Sequence, residues 1–205
     1  MSRFISGLRL LPGGADVANA YVGIQHESPK KLVLQNLYLA GTFKYAYTNT
    51  SGVGPLYIEN VAVIGDRTLV TTSAWNFGYP QTVWARQMDT EYRSPALFNN
   101  GGKLWILGLK GEGVSTNVHT TGTGQTEVLG GVVWGGGQNN PAFINNESLF
   151  SASILFGAES DAMAYSQLVK ETRNGVTKSL MKADAISLSP ANGSSLPLYV
   201  GFDGN

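Results

Sequence analysis

The sequence contains no cysteine. That removes disulfides, thiolate metal sites and a cysteine nucleophile together, and it leaves packing and hydrogen bonding as the sources of stability. Charge is scarce as well: 14 basic and 14 acidic residues cancel, and charged side chains make up only 14% of the chain, well under the usual quarter. Without a surplus of Lys and Arg there is no electrostatic footprint for a phosphate backbone, so nucleic acid is not an expected partner. No run of about 18 apolar residues occurs, so no membrane-spanning helix and no membrane insertion are expected. Residues 1–14 lack the apolar core of a secretory leader, a pattern compatible with a cytosolic protein, a mature secreted one, or a fragment.

Metal-binding and nucleophilic patterns are equally sparse. The two histidines, His26 and His119, lie far apart, and Asp16, Asp66, Asp89, Asp161, Asp184 and Asp203 are scattered. This is a poor zinc or calcium set, and no metal or cofactor is expected. There is no Gly-x-Ser-x-Gly elbow, and the glycine-rich Gly135–Asn140 lacks the lysine and following helix of a phosphate loop. No helical-length stretch shows a 3.6-residue apolar period.

What is abundant is glycine, 26 residues, with many Asn, Thr and Ser between short alternating apolar runs. Such a composition suits a turn-rich β protein with a neutral polar surface, better matched to neutral glycans than to phosphates. FISGLRL, LVLQNLYL and LYIENVAV share one form: aliphatic residues alternate on both sides of a single Gly or Asn that favours positive φ. With Gly7, Asn36 and Asn60 as register marks, Trp84, Gly108, Gly131 and Ser153 continue the series at a nearly even spacing of about two dozen positions. The residues following the marks, Leu8, Leu37, Val61, Ala85, Leu109, Val132 and Ile154, form an aliphatic series expected to stack inside a parallel coil. A steady period of this length predicts an all-β solenoid, a right-handed parallel β-helix of about seven rungs over residues 1–157. Asn174-Gly175 between two alternating runs predicts an antiparallel hairpin in 158–182. Together with a last strand over Leu196–Phe202, it would make 158–205 a cap packed on the coil.

Between Gln81 and Gly131, the runs QTVWARQMDTE, GGKLWILGLKGEG and TEVLGG, with ETRNGV at Glu171–Val176, resemble a group of bacterial, usually secreted, pectate-lyase-superfamily proteins with the right-handed β-helix fold. The likeness is best over about residues 55–180. It implies a carbohydrate-associated protein, secreted or at the cell surface, distantly similar to family 55 glycoside hydrolases that cleave β-1,3-glucans. The chain departs from the catalytic branches. None of the four polygalacturonase motifs occurs, the clustered aspartates of pectate lyases are missing, and so is the N-terminal half with further rungs that is typical of the group.

Hydrolysis of a glycoside generally uses two carboxylates about 5 to 9.5 Å apart, and Glu91, Glu112 and Glu127 are the candidate catalytic residues. Their unequal separations in sequence do not by themselves place them in one file. Trp84, Trp105 and Trp134, with Tyr79 and Tyr92, are candidates for an aromatic platform that binds a polysaccharide, and Arg86 and Lys110 for contacts to its carboxylates. The competing reading makes the tryptophans half-buried packing and the two cations solvated strand charges. A further alternative is a structural or adhesive rod, a homo-oligomer or filament built by head-to-tail stacking of coils.

Overall fold

The computed structural model describes residues 2–12, 21–41, 43–65, 72–113, 116–136, 139–188 and 193–201. Alternation in Leu56–Ile64 (β6) sends Leu56, Ile58, Val61 and Val63 inward. The pattern skips one step at Asn60, whose φ of 52° turns the strand so that Glu59 and Asn60 both face outward. The equivalent residue has positive φ in Leu32–Ala40 (β4, Asn36), Thr82–Glu91 (β8, Gln87), Lys103–Glu112 (β10, Gly108) and Gln125–Trp134 (β12, Gly130). Each of these long strands therefore has two arms joined by a bend. Backbone steric limits explain why Asn and Gly dominate there.

Arg3–Ser6 (β1) and Arg9–Leu10 (β2) pair with β4. Behind them β4, β6, β8, β10, β12 and Leu149–Gly157 (β14) stack in parallel as the first sheet. The second sheet carries the shorter alternate strands: Val22–His26 (β3), Tyr45–Asn49 (β5), Trp75–Phe77 (β7), Leu97–Asn100 (β9), Val118–Thr121 (β11), Phe143–Asn146 (β13) and Gln167–Arg173 (β15). The chain alternates between the sheets, so each passage through both is one coil. The result is a parallel β-solenoid of about six turns.

Both sheets are closed at the C-terminal end by antiparallel strands. Val176–Met181 (β16) folds back on β15 through Asn174 and Gly175, at φ 50° and 73°, as the Asn-Gly pair predicts. Gly193–Val200 (β18) runs against β14, and Ile186–Leu188 (β17) pairs with β18. The predicted last strand is thus found in β18, while Phe202 lies outside the described residues.

The interior is a set of files running along the coil. Leu32, Leu56, Val83, Leu104, Thr126 and Phe150 form one, and Leu34, Ile58, Ala85, Ile106, Val128 and Ala152 a second, all buried. Each fully buried large aliphatic side chain contributes roughly 1.5–3 kcal/mol.

The predicted register mark is corrected at three rungs. The bend of β8 is at Gln87, three positions beyond Trp84, and that of β12 is at Gly130. In β14 the alternation runs straight through buried Ile154, because a β-branched residue disfavours positive φ. The length difference is taken up opposite it by a bulge at Gly130 and Gly131. Leu37, Val61 and Leu109 do share a file, with Met88 rather than Ala85 between them. That file then meets Gly131, and Val132 sits on the outer face opposite Lys110. Leu8 is substantially exposed.

Where the second sheet turns toward the first, the inward positions beyond Phe77 are polar. Phe77, Asn99, Thr120, Asn145 and Glu171 occupy one buried file. The Asn99 amide donates to the Gly102 and Gln125 carbonyls, both at 3.2 Å, and its Oδ1 accepts from Gly102 N–H at 3.0 Å. Asn145 donates likewise to the Ser148 carbonyl at 2.9 Å. Side-chain amides thus satisfy the backbone of tight corners that would otherwise bury unpaired groups.

Candidate functional site

On the outer face of the first arm, parallel register sets Val33, Tyr57, Trp84, Trp105, Glu127 and Ser151 side by side on successive strands. Tyr57 and Trp84 stack with ring centroids 4.8 Å apart and planes 17° from parallel, and Trp84 and Trp105 with 5.6 Å and 10°. The ladder follows directly from the strand spacing of ~4.8 Å. Its inner ring faces cover one another and its edges meet solvent. Lys31 Nζ approaches the Tyr57 ring at 5.6 Å from the centroid, a cation–π contact at one end. At the other end the next residue in the file is Glu127, not an aromatic.

Beside the ladder runs the file Gln35, Glu59, Arg86, Leu107 and Leu129. Glu59 and Arg86 form an exposed ion pair, and Gln35 donates to Glu59 at 3.3 Å. Between the two files lies an open groove of about 320 Å³, its floor the backbone at Ile58, Ala85 and Ile106.

Beyond the bend, the second arm carries a different group. Glu91, Glu112 and Trp134 are direct neighbours on β8, β10 and β12, and Asp89 and Lys110 are neighbours in the adjoining file. Lys110 Nζ pairs with all three carboxylates: Glu91, Glu112 at 2.8 Å and Asp89 at 3.4 Å. The Tyr92 hydroxyl donates to Glu112 at 3.5 Å. Burial raises the Asp89 carboxyl above its ordinary range, with Lys110 opposing the shift. Trp134 lies against Gly157, where an added Cβ would come within 2.5 Å of the indole.

The sequence candidates therefore fall into two groups. Trp84, Trp105, Arg86 and Glu127 belong to the ladder arm, and Glu91, Glu112, Lys110 and Trp134 to the other. Glu91 and Glu112 stand on adjacent strands, their separation in sequence being the length of that one rung, whereas Glu127 is across the bend from them. Tyr79 and Tyr92 lie outside the ladder; Tyr57 is its third ring.

Tyr57, Glu59 and Asp89 are not among the site residues the sequence suggests, yet a signal for the first of them exists. Tyr57, Trp84, Trp105 and Glu127 each precede the bend residue of their strand by three positions, and Glu91, Glu112 and Trp134 each follow it by four. A mark placed on Trp84 hides both series.

Among the described residues no group of three or more His, Cys, Asp or Glu is placed to hold a metal ion. Lys110 occupies the space between the three carboxylates. His26 is buried in a network of its own: Nε2–H donates to the Lys30 carbonyl at 3.2 Å, Nδ1 accepts from the Gln81 amide at 3.1 Å, and Tyr47 donates to Gln81 at 3.0 Å. Asp16, Asp66 and Asp203 lie outside the described residues.

Fold and surface together define a parallel β-solenoid with an aromatic ladder on one outer face and a lysine-centred carboxylate cluster on the next. No protein-family model, curated protein or solved structure matches the chain.

Proposed function

We propose that this solenoid binds a polysaccharide along its first arm, as a secreted or cell-surface protein. The observation that carries the reading is the stacked Tyr57–Trp84–Trp105 ladder, exposed at Tyr57 and Trp84 and half-buried at Trp105, bordering an open groove. Aromatic edges and the Leu107 and Leu129 side chains offer apolar surface to the C–H faces of sugars. Glu59 and Arg86 offer hydrogen bonds to hydroxyls, with Arg86 also suited to an occasional carboxylate. Equivalent positions recur every ~4.8 Å along the coil, comparable to the length of one pyranose, so successive sugars of an extended chain meet successive rungs. The chain class is neutral or mildly acidic, in keeping with the balanced charge.

A retention assay on immobilised β-glucans and pectins tests this. At least one polymer is expected to hold the wild type and to release Trp84→Ala and Leu107→Asp at least tenfold more readily. Failure of every polymer, or equal retention of both variants, rejects the reading. Scoring the same incubations for new reducing ends and for unsaturated sugars separates a binder from a hydrolase or a lyase. Loss of any reducing-end signal in Glu91→Gln would assign chemistry to the carboxylate arm.

One observation favours a rod as the second reading. Among the described residues, β1 and β3 form the first edges of the two sheets, and Phe4, Leu11 and Tyr21 stand exposed at that end. Sedimentation velocity showing concentration-dependent polymers supports the rod, and a single species at all concentrations rejects it.

A further inference from the structure

A cavity of about 250 Å³ opens where the aromatic ladder stops, lined by Trp105, Gln125, Glu127, Ser151, Arg173 and Gly201 among others. Trp84 covers one face of the Trp105 indole. The register places Glu127 and then Ser151 beyond the opposite face. A carboxylate is repelled by the electron-rich face of an aromatic ring, so Glu127 cannot close the stack as another aromatic would. The ladder thus ends on an indole face with acceptors around it. The Arg173 guanidinium on the far wall donates to Glu171 at 3.0 Å and also to the Ser148 carbonyl.

We infer that this cavity is a subsite for a single pyranose ring, stacked face-on on Trp105 and held through its hydroxyls by Glu127, with Gln125 and Ser151 as further hydrogen-bond partners. The inference rests on the glycan reading and deepens it. Along the groove a sugar meets ring edges, and at the Tyr57 end Lys31 lies over the ring; beside Trp105 a flat C–H face can meet an aromatic face. The cavity is smaller than the roughly 300 Å³ at which pockets for drug-sized ligands begin, which fits one ring rather than an oligosaccharide. The ligand is neutral, because Glu127 would repel a uronate carboxylate and the Arg173 guanidinium on the far wall is already engaged by Glu171 and the Ser148 carbonyl. A polymer lying in the groove would reach this subsite with one terminal residue.

Titration calorimetry with methyl glycosides of glucose, galactose and mannose, and with galacturonate, tests the assignment on the intact protein. One neutral methyl glycoside is expected to bind and galacturonate to bind at least fivefold more weakly. Glu127→Gln is expected to weaken the neutral ligand at least fivefold. Ser151→Trp, which fills the cavity from the neighbouring strand, is expected to abolish binding with an unchanged melting temperature. Trp84→Ala, whose ring does not line the cavity, is expected to lose polymer retention before it loses the monosaccharide.

Polymer retention without binding of any methyl glycoside overturns the subsite and leaves the groove reading standing. Unaltered monosaccharide affinity in both Glu127→Gln and Ser151→Trp does the same. Absence of both polymer and monosaccharide binding overturns both proposals.

Discussion

Single side chains at the corners carry a large share of what keeps the coils in register. Asn99 makes three backbone contacts at its corner and donates at 2.9 Å to Thr126 on β12. Asn99→Ala would leave the Gly102 N–H buried without its acceptor, a loss of ~1–3 kcal/mol, and would remove the Asn99 donor from the Gly102 and Gln125 carbonyls, the first of which still accepts from Gln125 N–H at 2.8 Å. Urea unfolding is expected to show a loss of ~2–4 kcal/mol, and Asn76→Ala, at a half-buried outward position, much less.

His26 sits in a comparable network with a charge consequence. Burial lowers its pKa from 6.5, and the hydrogen bonds described above fit the neutral Nε2–H tautomer. His119, edge-on to Phe98 at 5.5 Å between centroids, is lowered by burial as well. A proton therefore binds the unfolded chain more readily than the folded one. The contribution of each histidine is complete above pH 6.5 and is lost as pH falls from there through the folded-state value. Melting temperatures at pH 7.5, 6.0 and 5.0 should fall in that order for the wild type. His26→Gln, though less stable at pH 7.5, should show a shallower decline, and an equal slope would show that His26 is not the titrating group.

At the scale of the strand, the bend decides everything outside it. Gly or Asn at the centre of LYIENVAV and LWILGLK makes the kink legible, because few residues accept positive φ. Gln87 is not legible, since Gln has no such preference and Trp84 stands nearby in a run of similar look. One misplaced mark moves Ala85 into the wrong file and conceals that Tyr57, Trp84 and Trp105 are equivalent. The carboxylate pair is hidden for the same reason: the spacing between successive bend residues is uneven, so no single period could align Glu91 with Glu112. The Asn-lined corners escape a sequence reading because Asn in a loop is ordinary until the register shows it pointing inward. Gln87, at φ 56° without a glycine's freedom, is the place where sequence and geometry disagree most among the middle strands. Gln87→Gly is expected to stabilise the protein by up to ~1 kcal/mol, read as a rise in melting temperature, with the ladder and any glycan retention intact. A fall would mean that the side chain, not the backbone, holds the bend.

At the scale of the molecule, the stack behaves as layers that each touch only their neighbours, so stability is a chain of local couplings and the last layer is the weak point. The sequence pattern is sufficient for the coil and for the Asn-Gly hairpin, both local. The last strand is legible as an element of the cap but its partner is not, because β18 returns to β14 across the whole intervening hairpin and is joined by groups distant in sequence. At its centre Glu171, buried, accepts from Asn145 at 3.0 Å, from Arg173 and from the Tyr199 hydroxyl. Burial and the adjacent Glu171 carboxylate push the Tyr199 phenol well above its usual range, so it remains a donor at any physiological pH. Tyr199→Phe removes one hydrogen bond to a charged acceptor, worth ~1.5–3 kcal/mol. Nearest-neighbour coupling confines the damage: amide exchange should quicken in β18, β14 and β15 and stay unchanged in β4, β6 and β8. Uniform acceleration through all layers would mean that the coil unfolds as one unit and that its end does not act as a separate closure.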